Sequence, residues 1–248
     1  MDKIHALSWL QEQWSECRGC NLCHERTNVV FGYGNPNAQV MIIGEAPGQN
    51  EDESGYPFVG AAGQLLDQYL AQVSIREDVK VVVEEISAAK RADNKINAIS
   101  KLRDVLLDDY YFTNVVMCRP PDNRDPTPKE VETCRNRLFS QIYAVDPVLI
   151  ITAGKIATEA LLGKKVSITQ MRGDIFDVSI PSVTGTVSYP VMATLHPSFL
   201  LRKNDFKQKG GDGVKTYNDF VRAMNIIDAF NLRHYDLEIP TTRPKMER

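Results

Sequence analysis

Apolar residues recur every three to four positions at the start of the chain, at Ile4, Leu7, Leu10 and Trp14, which predicts an amphipathic helix. The pattern then changes period. AQVMII at 38–43 is a short, unbroken apolar run rich in β-formers and stopped by Gly44, the mark of a buried strand. YFTNVV at 111–116, VLIIT at 148–152 and PVMAT at 190–194 repeat it, and 175–180 predicts an edge strand. Helical spacing returns between the strands. Ala61 to Val73 carries Leu65, Leu66, Tyr69, Leu70 and Val73. Thr127-Pro128-Lys129-Glu130 starts a helix to about Ala144 by a capping box and a proline at the first helical position. Others run from Gly154 to Leu162 and from Val214 to Phe230. Residues 75–108 are charged, with Ile96, Ile99, Leu102 and Leu106 near helical spacing, and predict a peripheral helical insertion.

Strands alternating with helices imply a parallel sheet covered on both faces. The expected fold class is α/β: one domain over 1–235, a three-layer α/β/α with a central, mainly parallel four-stranded sheet, and a loose tail at 236–248. Ligands bind such sheets beyond the carboxyl ends of the strands. GEAPG follows the first strand, Asn114 and CRPP end the second, and HPS follows the fourth, so three segments converge on one rim.

Composition narrows the class. The chain has 248 residues, 43% apolar, enough to bury a core without disulfides. A net charge of −3 excludes a globally basic nucleic-acid coat but not a local basic patch. The start has no signal-peptide pattern and no run reaches the length of a membrane span, so the expectation is a cytoplasmic monomer without a membrane partner.

Five cysteines without a secretion signal argue against a disulfide framework. Cys17 and Cys20 form C-x2-C, and Cys118 and Cys134 lie on other predicted elements. The four could hold zinc or an iron–sulfur cluster. The alternative is that Cys118 and Cys134 are small buried hydrophobes. Cys23 is the spare.

Four polar or aromatic residues stand on the rim. Glu45 follows Gly44, whose lack of a side chain lets a ligand approach the backbone. Phe58 could stack on a planar base or be an ordinary core ring. Asn114 could read a base edge with its amide or satisfy local backbone. His196 could donate to developing negative charge or be structural. After it, Ser198, Phe199, Leu200 and Leu201 precede Arg202 and Lys203. At least one of the three apolar residues could wedge into a base stack while the cations grip phosphates; a buried helix start explains the same run.

Taken together, C-x2-C at 17–20, RTNVVFGYGNPNAQVMIIGEAPGQNEDESGYPFVGAAGQLL at 26–66, TNVVMCRPPDNRDPTPKEVETC at 113–134 and HPSFLLR at 196–202 resemble the iron–sulfur, family 4 type of the uracil-DNA glycosylase superfamily. The resemblance covers residues 14 to 202. It implies a 4Fe-4S cluster on Cys17, Cys20, Cys118 and Cys134, in preference to zinc. It implies a uracil pocket lined by Gly44, Glu45, Ala46, Phe58, Asn114 and His196, with His196 and Glu45 catalytic, and uracil-containing DNA, single- or double-stranded, as partner. Ser198 to Lys203 would face that DNA. The expected reaction is hydrolysis of the uracil glycosidic bond, without strand-nicking lyase activity. The rivals are a non-catalytic, metal-stabilised DNA-binding module and an iron–sulfur electron-transfer protein. Two departures stand out. Residues 75–108 look longer than the usual connection. PPDNRDPTPKE lacks the histidine with which a related branch captures uracil covalently. The superfamily's best-known branch also carries an Asp where Ala46 stands.

Overall fold

The computed structural model describes residues 2–89, 92–182, 185–203 and 210–234. In chain order they form α1 (Lys3–Trp14), β1 (Tyr33–Gly34), β2 (Val40–Gly44), α2 (Gln49–Ser54), α3 (Ala61–Val73), α4 (Glu77–Ala88), α5 (Ala92–Leu106), β3 (Tyr110–Asn114), α6 (Pro128–Val145), β4 (Leu149–Ala153), α7 (Lys155–Leu162), α8 (Ile168–Met171), β5 (Ile175–Ser182), β6 (Gly185–Thr194), α9 (Pro197–Lys203) and α10 (Asp212–His234). The capping box at α6 forms: Thr127 N–H donates to Glu130 Oε2 at 2.7 Å and Glu130 N–H to Thr127 Oγ1 at 3.3 Å. Among the described residues no helix is long and apolar enough to cross a membrane. The tail at 236–248 lies outside the described residues.

The sheet has six strands in the order β1-β3-β2-β4-β6-β5. The four expected strands are its parallel centre, and β5 pairs antiparallel with β6 at the predicted edge. The unpredicted strand is β1, two residues antiparallel to β3, too short to leave a periodic signal. Successive residues of β2 point to opposite faces. Met41 and Ile43 join Leu7, Leu138 and Ile142 under α1 and α6, with Cys118 and Cys134 in the same core. Val40 and Ile42 join Leu66, Leu70, Phe220 and Ala223 under α3 and α10. This is the three-layer arrangement.

Two expectations need correcting. Residues 75–108 hold helices α4 and α5, but these are not peripheral: Val79, Val82, Leu102 and Leu106 are buried in the second core. A helix pair with an apolar seam must bury it, and α3 supplies the surface. The run after His196 is the buried helix start, helix α9, and the wedge reading fails at Leu200. It starts at Pro197, where a missing N–H costs nothing. Its turn carries Leu200 inward to full burial, so Leu200 belongs to the core and not to a DNA-facing wedge.

Candidate active site

The order of strands reverses after β3, and the site opens at the carboxyl ends around β2, where such a reversal leaves a crevice. Gly44 and Asn114 are register partners on adjacent parallel strands. Pairing continues beyond the strand ends, Val115 N–H donating to Gly44 O at 2.9 Å and Val116 N–H to Glu45 O at 3.1 Å. The first rim segment is thereby fixed to the second. A cavity of about 480 Å³ lies above, lined by Glu45, Ala46, Phe58, Asn114 and His196 among others. Gly44 does not line the cavity itself but packs against two residues that do. A Cβ there would lie 2.3 Å from Asn114 Oδ1 and 2.5 Å from Phe58 Cζ, so the amide and the ring close over a position only glycine can fill.

Phe58 is both a core ring and a pocket wall. It is buried and tilted against Phe112 at 6.0 Å between centroids, while it lines the cavity. Its φ of +58° is rare for a bulky residue and needs support. Some comes from Glu51 on α2, a residue with no role in the sequence analysis. Its carboxylate accepts from Gly48 N–H at 3.1 Å and Gly60 N–H at 2.7 Å, tying GEAPG to the PFVG turn. No local pattern announces a bond across nine residues.

Glu45 and His196 are held in opposite ways to the same effect: both resist charge. Burial, with Asp125 nearby, pushes the Glu45 carboxyl up to about 7, partly offset by Arg202. Burial, with Arg202 adding repulsion, pushes His196 down to about 4, so its ring is neutral near pH 7. Ser198 N–H donates to His196 Nδ1 at 3.2 Å, and Ser198 Oγ lies 2.8 Å from the same nitrogen. Nδ1 is therefore the acceptor and Nε2 carries the proton. Gly154, at φ +97°, lets the β4–α7 turn pass His196; a Cβ would stand 2.9 Å from His196 Cβ.

The remaining residues of α9 divide. Ser198 serves His196. Phe199 lines the cavity and lies under the Lys203 ammonium, 4.8 Å from its ring centroid. Leu201 is 38% exposed and faces outward. Arg202 reaches the cavity rim, whereas Lys203 pairs with Asp212 at 2.7 Å.

On the opposite side of β3, Cys118 and Cys134 are buried, with Cys17 and Cys20 packed against the same core. Gly19 lets the 17–20 turn close on α6: a Cβ would lie 2.9 Å from Thr133 Cγ2 and 3.7 Å from Cys17 Sγ. Burial pushes Cys118 up to about 11, against the pull of Arg26, whose Nη1 donates to Cys118 Sγ at 3.0 Å. Neighbouring sulfurs oppose ionisation of Cys20 and Cys118 too. Among the described residues no three His, Cys, Asp or Glu side chains form a site for a single metal ion. An all-sulfur set from three segments, with a guanidinium donating to one sulfur, suits an iron–sulfur cluster.

The Uracil DNA glycosylase superfamily model matches residues 31–223. A type-4 uracil-DNA glycosylase of Thermotoga maritima is 34% identical over 216 residues, 86% of this chain and 93% of its own. One of Sulfurisphaera tokodaii is 38% identical over 174 residues, 68% of this chain and 66% of its own. A type-5 uracil-DNA glycosylase of Thermus thermophilus is 29% identical over 136 residues, 54% of this chain and 53% of its own.

Proposed function

The chain belongs to the uracil DNA glycosylase superfamily, in its type-4 branch, and from that membership we propose that it removes uracil from DNA by hydrolysing the glycosidic bond. The observation that carries the reading is that Glu45, Phe58, Asn114 and His196, drawn from three distant segments, line one cavity at the ends of the parallel strands.

The residues divide the work as the chemistry requires. The target base leaves the stack at a cost of a few kcal/mol, least when unpaired or mispaired. Phe58 offers its ring face to the base. Asn114 offers one donor and one acceptor to the polar edge. As the C1′–N1 bond breaks, the electron pair departs with uracil and positive charge grows on the sugar. The neutral His196 donates from Nε2 to a carbonyl oxygen of the leaving uracil; one such donor is typically worth roughly 10²–10³ in rate. Water adds to C1′, and Glu45 accepts its proton, a role suited to a carboxylate whose pKa is about 7. Arg202 adds positive charge beside both groups. This division leaves no step for a lysine, consistent with hydrolysis without strand nicking. Leu201 fills the gap left in duplex DNA.

Cys17, Cys20, Cys118 and Cys134 would hold a 4Fe-4S cluster, which would supply a structural clamp joining the N-terminal segment to β3 and α6. The test is release of free uracil from a uracil-containing oligonucleotide. Release with an intact, alkali-labile abasic strand is expected. DNA binding without release would favour the binding module, and neither would leave the electron-transfer reading.

A further inference from the structure

The segment 75–108 reaches the pocket through one side chain. Arg103 on α5 points toward α3 and the PFVG turn. Its Nη2 donates to the Phe58 carbonyl oxygen at 2.5 Å and its Nε to Asp67 Oδ2 at 3.0 Å. Nη2 also stands 2.8 Å from Asp67 Oδ1. The guanidinium lies 4.4 Å from the centroid of Phe112, the ring against which Phe58 tilts. Asp67 is buried on α3, so the pair is fixed within the second core. Beneath the same carbonyl sits Gly63, where a Cβ would come within 1.7 Å of Phe58 O. The backbone of Phe58 is thus held in its left-handed conformation from two sides. Arg103 does not line the cavity.

We propose that Arg103, oriented by Asp67, is a positioning residue that fixes the Phe58 backbone and so sets the angle of the ring that stacks on the extruded base. The inference rests on the function proposed above. It gives the insertion a role: α4 and α5 bury their apolar seam in the core to deliver one guanidinium to the back of the pocket. A planar fork suits the task, because it grips a carboxylate while donating to a carbonyl beside it.

The experiment is a double-mutant cycle in the full chain, read by single-turnover uracil release. Arg103→Ala should slow release roughly 10- to 100-fold, the scale of a small misplacement at a reacting centre. In a Phe58→Ala background, where no ring remains to misplace, the same change should cost less than about threefold. Binding to uracil-free DNA should not change. Amide hydrogen exchange at 57–63 should rise in Arg103→Ala, with that at 113–116 unchanged. If Arg103→Ala does not fold, Arg103→Lys carries the same cycle, since an ammonium cannot span both partners. Equal losses in both backgrounds, or unaltered exchange at 57–63, would overturn the inference. An inactive wild type whose exchange at 57–63 still responds would count against the glycosylase reading alone.

Discussion

An arginine stands behind each wall of the cavity, and the two are built to different standards. Arg137, on α6, is fully buried, and its Nη2 donates to the carbonyls of Asn114 and Val115 at 2.8 and 2.7 Å. Its Nη1 reaches Thr113 Oγ1 at 3.1 Å, and Cys134 is another close neighbour. Arg103, behind Phe58, keeps 14% of its side chain exposed and is paired with a carboxylate. The Asn114 wall is wired into the sheet and the thiol site together. The Phe58 wall is braced by a separate helix pair. One brace leaves buried carbonyls unpaired if it is removed; the other leaves a carboxyl that can take up a proton.

Substituting both arginines tests that contrast most severely. Arg137→Met should orphan two buried carbonyls and cost about 3–5 kcal/mol. For a chain of this size that lowers Tm by about 6–20 °C. Arg103→Ala should lower Tm less, because burial already holds the Asp67 carboxyl up at about 7 and it can take a proton once its partner is gone; equal drops by calorimetry would erase the distinction. Gly44→Ala strikes both walls at once, because its methyl group must displace the Asn114 amide and the Phe58 ring. Uracil release should fall at least about 100-fold with an unchanged circular dichroism spectrum.

Acidity probes the space between the walls. Single-turnover release should rise about tenfold per pH unit below about 7 and then level off, because the proposed base Glu45 must be an anion to accept a proton. His196, held down near 4, adds no second inflection between pH 5 and 8. Stability runs the other way. The folded-state pKa of Glu45 is raised, so its contribution is present below about 4.5 and is lost as pH rises through about 7. Glu45→Gln should therefore melt above wild type at pH 8, with the gap closing toward pH 4.5. A wild-type rate that does not change across pH 6–8 would remove Glu45 as the base. The smallest effect belongs to Leu201→Ala: release from duplex DNA should slow a few-fold, release from single strands should hold, and Tm should not move. Loss on both substrates would make Leu201 part of the pocket.

What could be read from the residues follows from the range of the forces involved. β2, β3, β4 and β6 showed as apolar runs because parallel strands are buried on both faces. Thr127-Pro128 and Glu130 marked α6 because caps are local. At α9 the residues left two readings open, because Pro197-Ser198 reads equally as a turn, and only the burial of Leu200 decides for the helix start. The polar α2 was missed because Gly48 starts it without a capping side chain. Glu45, Asn114 and His196 were legible as residues at strand ends and Phe58 as part of the PFVG turn, whereas their supports were not. Glu51 to Gly60, Arg103 to Phe58 and Arg137 to Asn114 are bonds across 9, 45 and 23 residues, with no spacing to betray them.

The strand order also sets a timetable for synthesis. β2, the central strand of the parallel set, is translated before either neighbour, β3 or β4. At roughly 5–20 residues per second, tens of residues and several seconds separate Gly44 from Asn114, and His196 comes later still. A nascent chain therefore exposes VMIIG, apolar on both sides, before anything can pair with it. Helix α3 can shelter one side of that strand once it emerges; on the other, Leu7 of α1 is already out, but Leu138 and Ile142 wait for α6. The ribosome-bound intermediate thus keeps the part of that face which α6 later covers exposed longest, and chaperone capture should concentrate there.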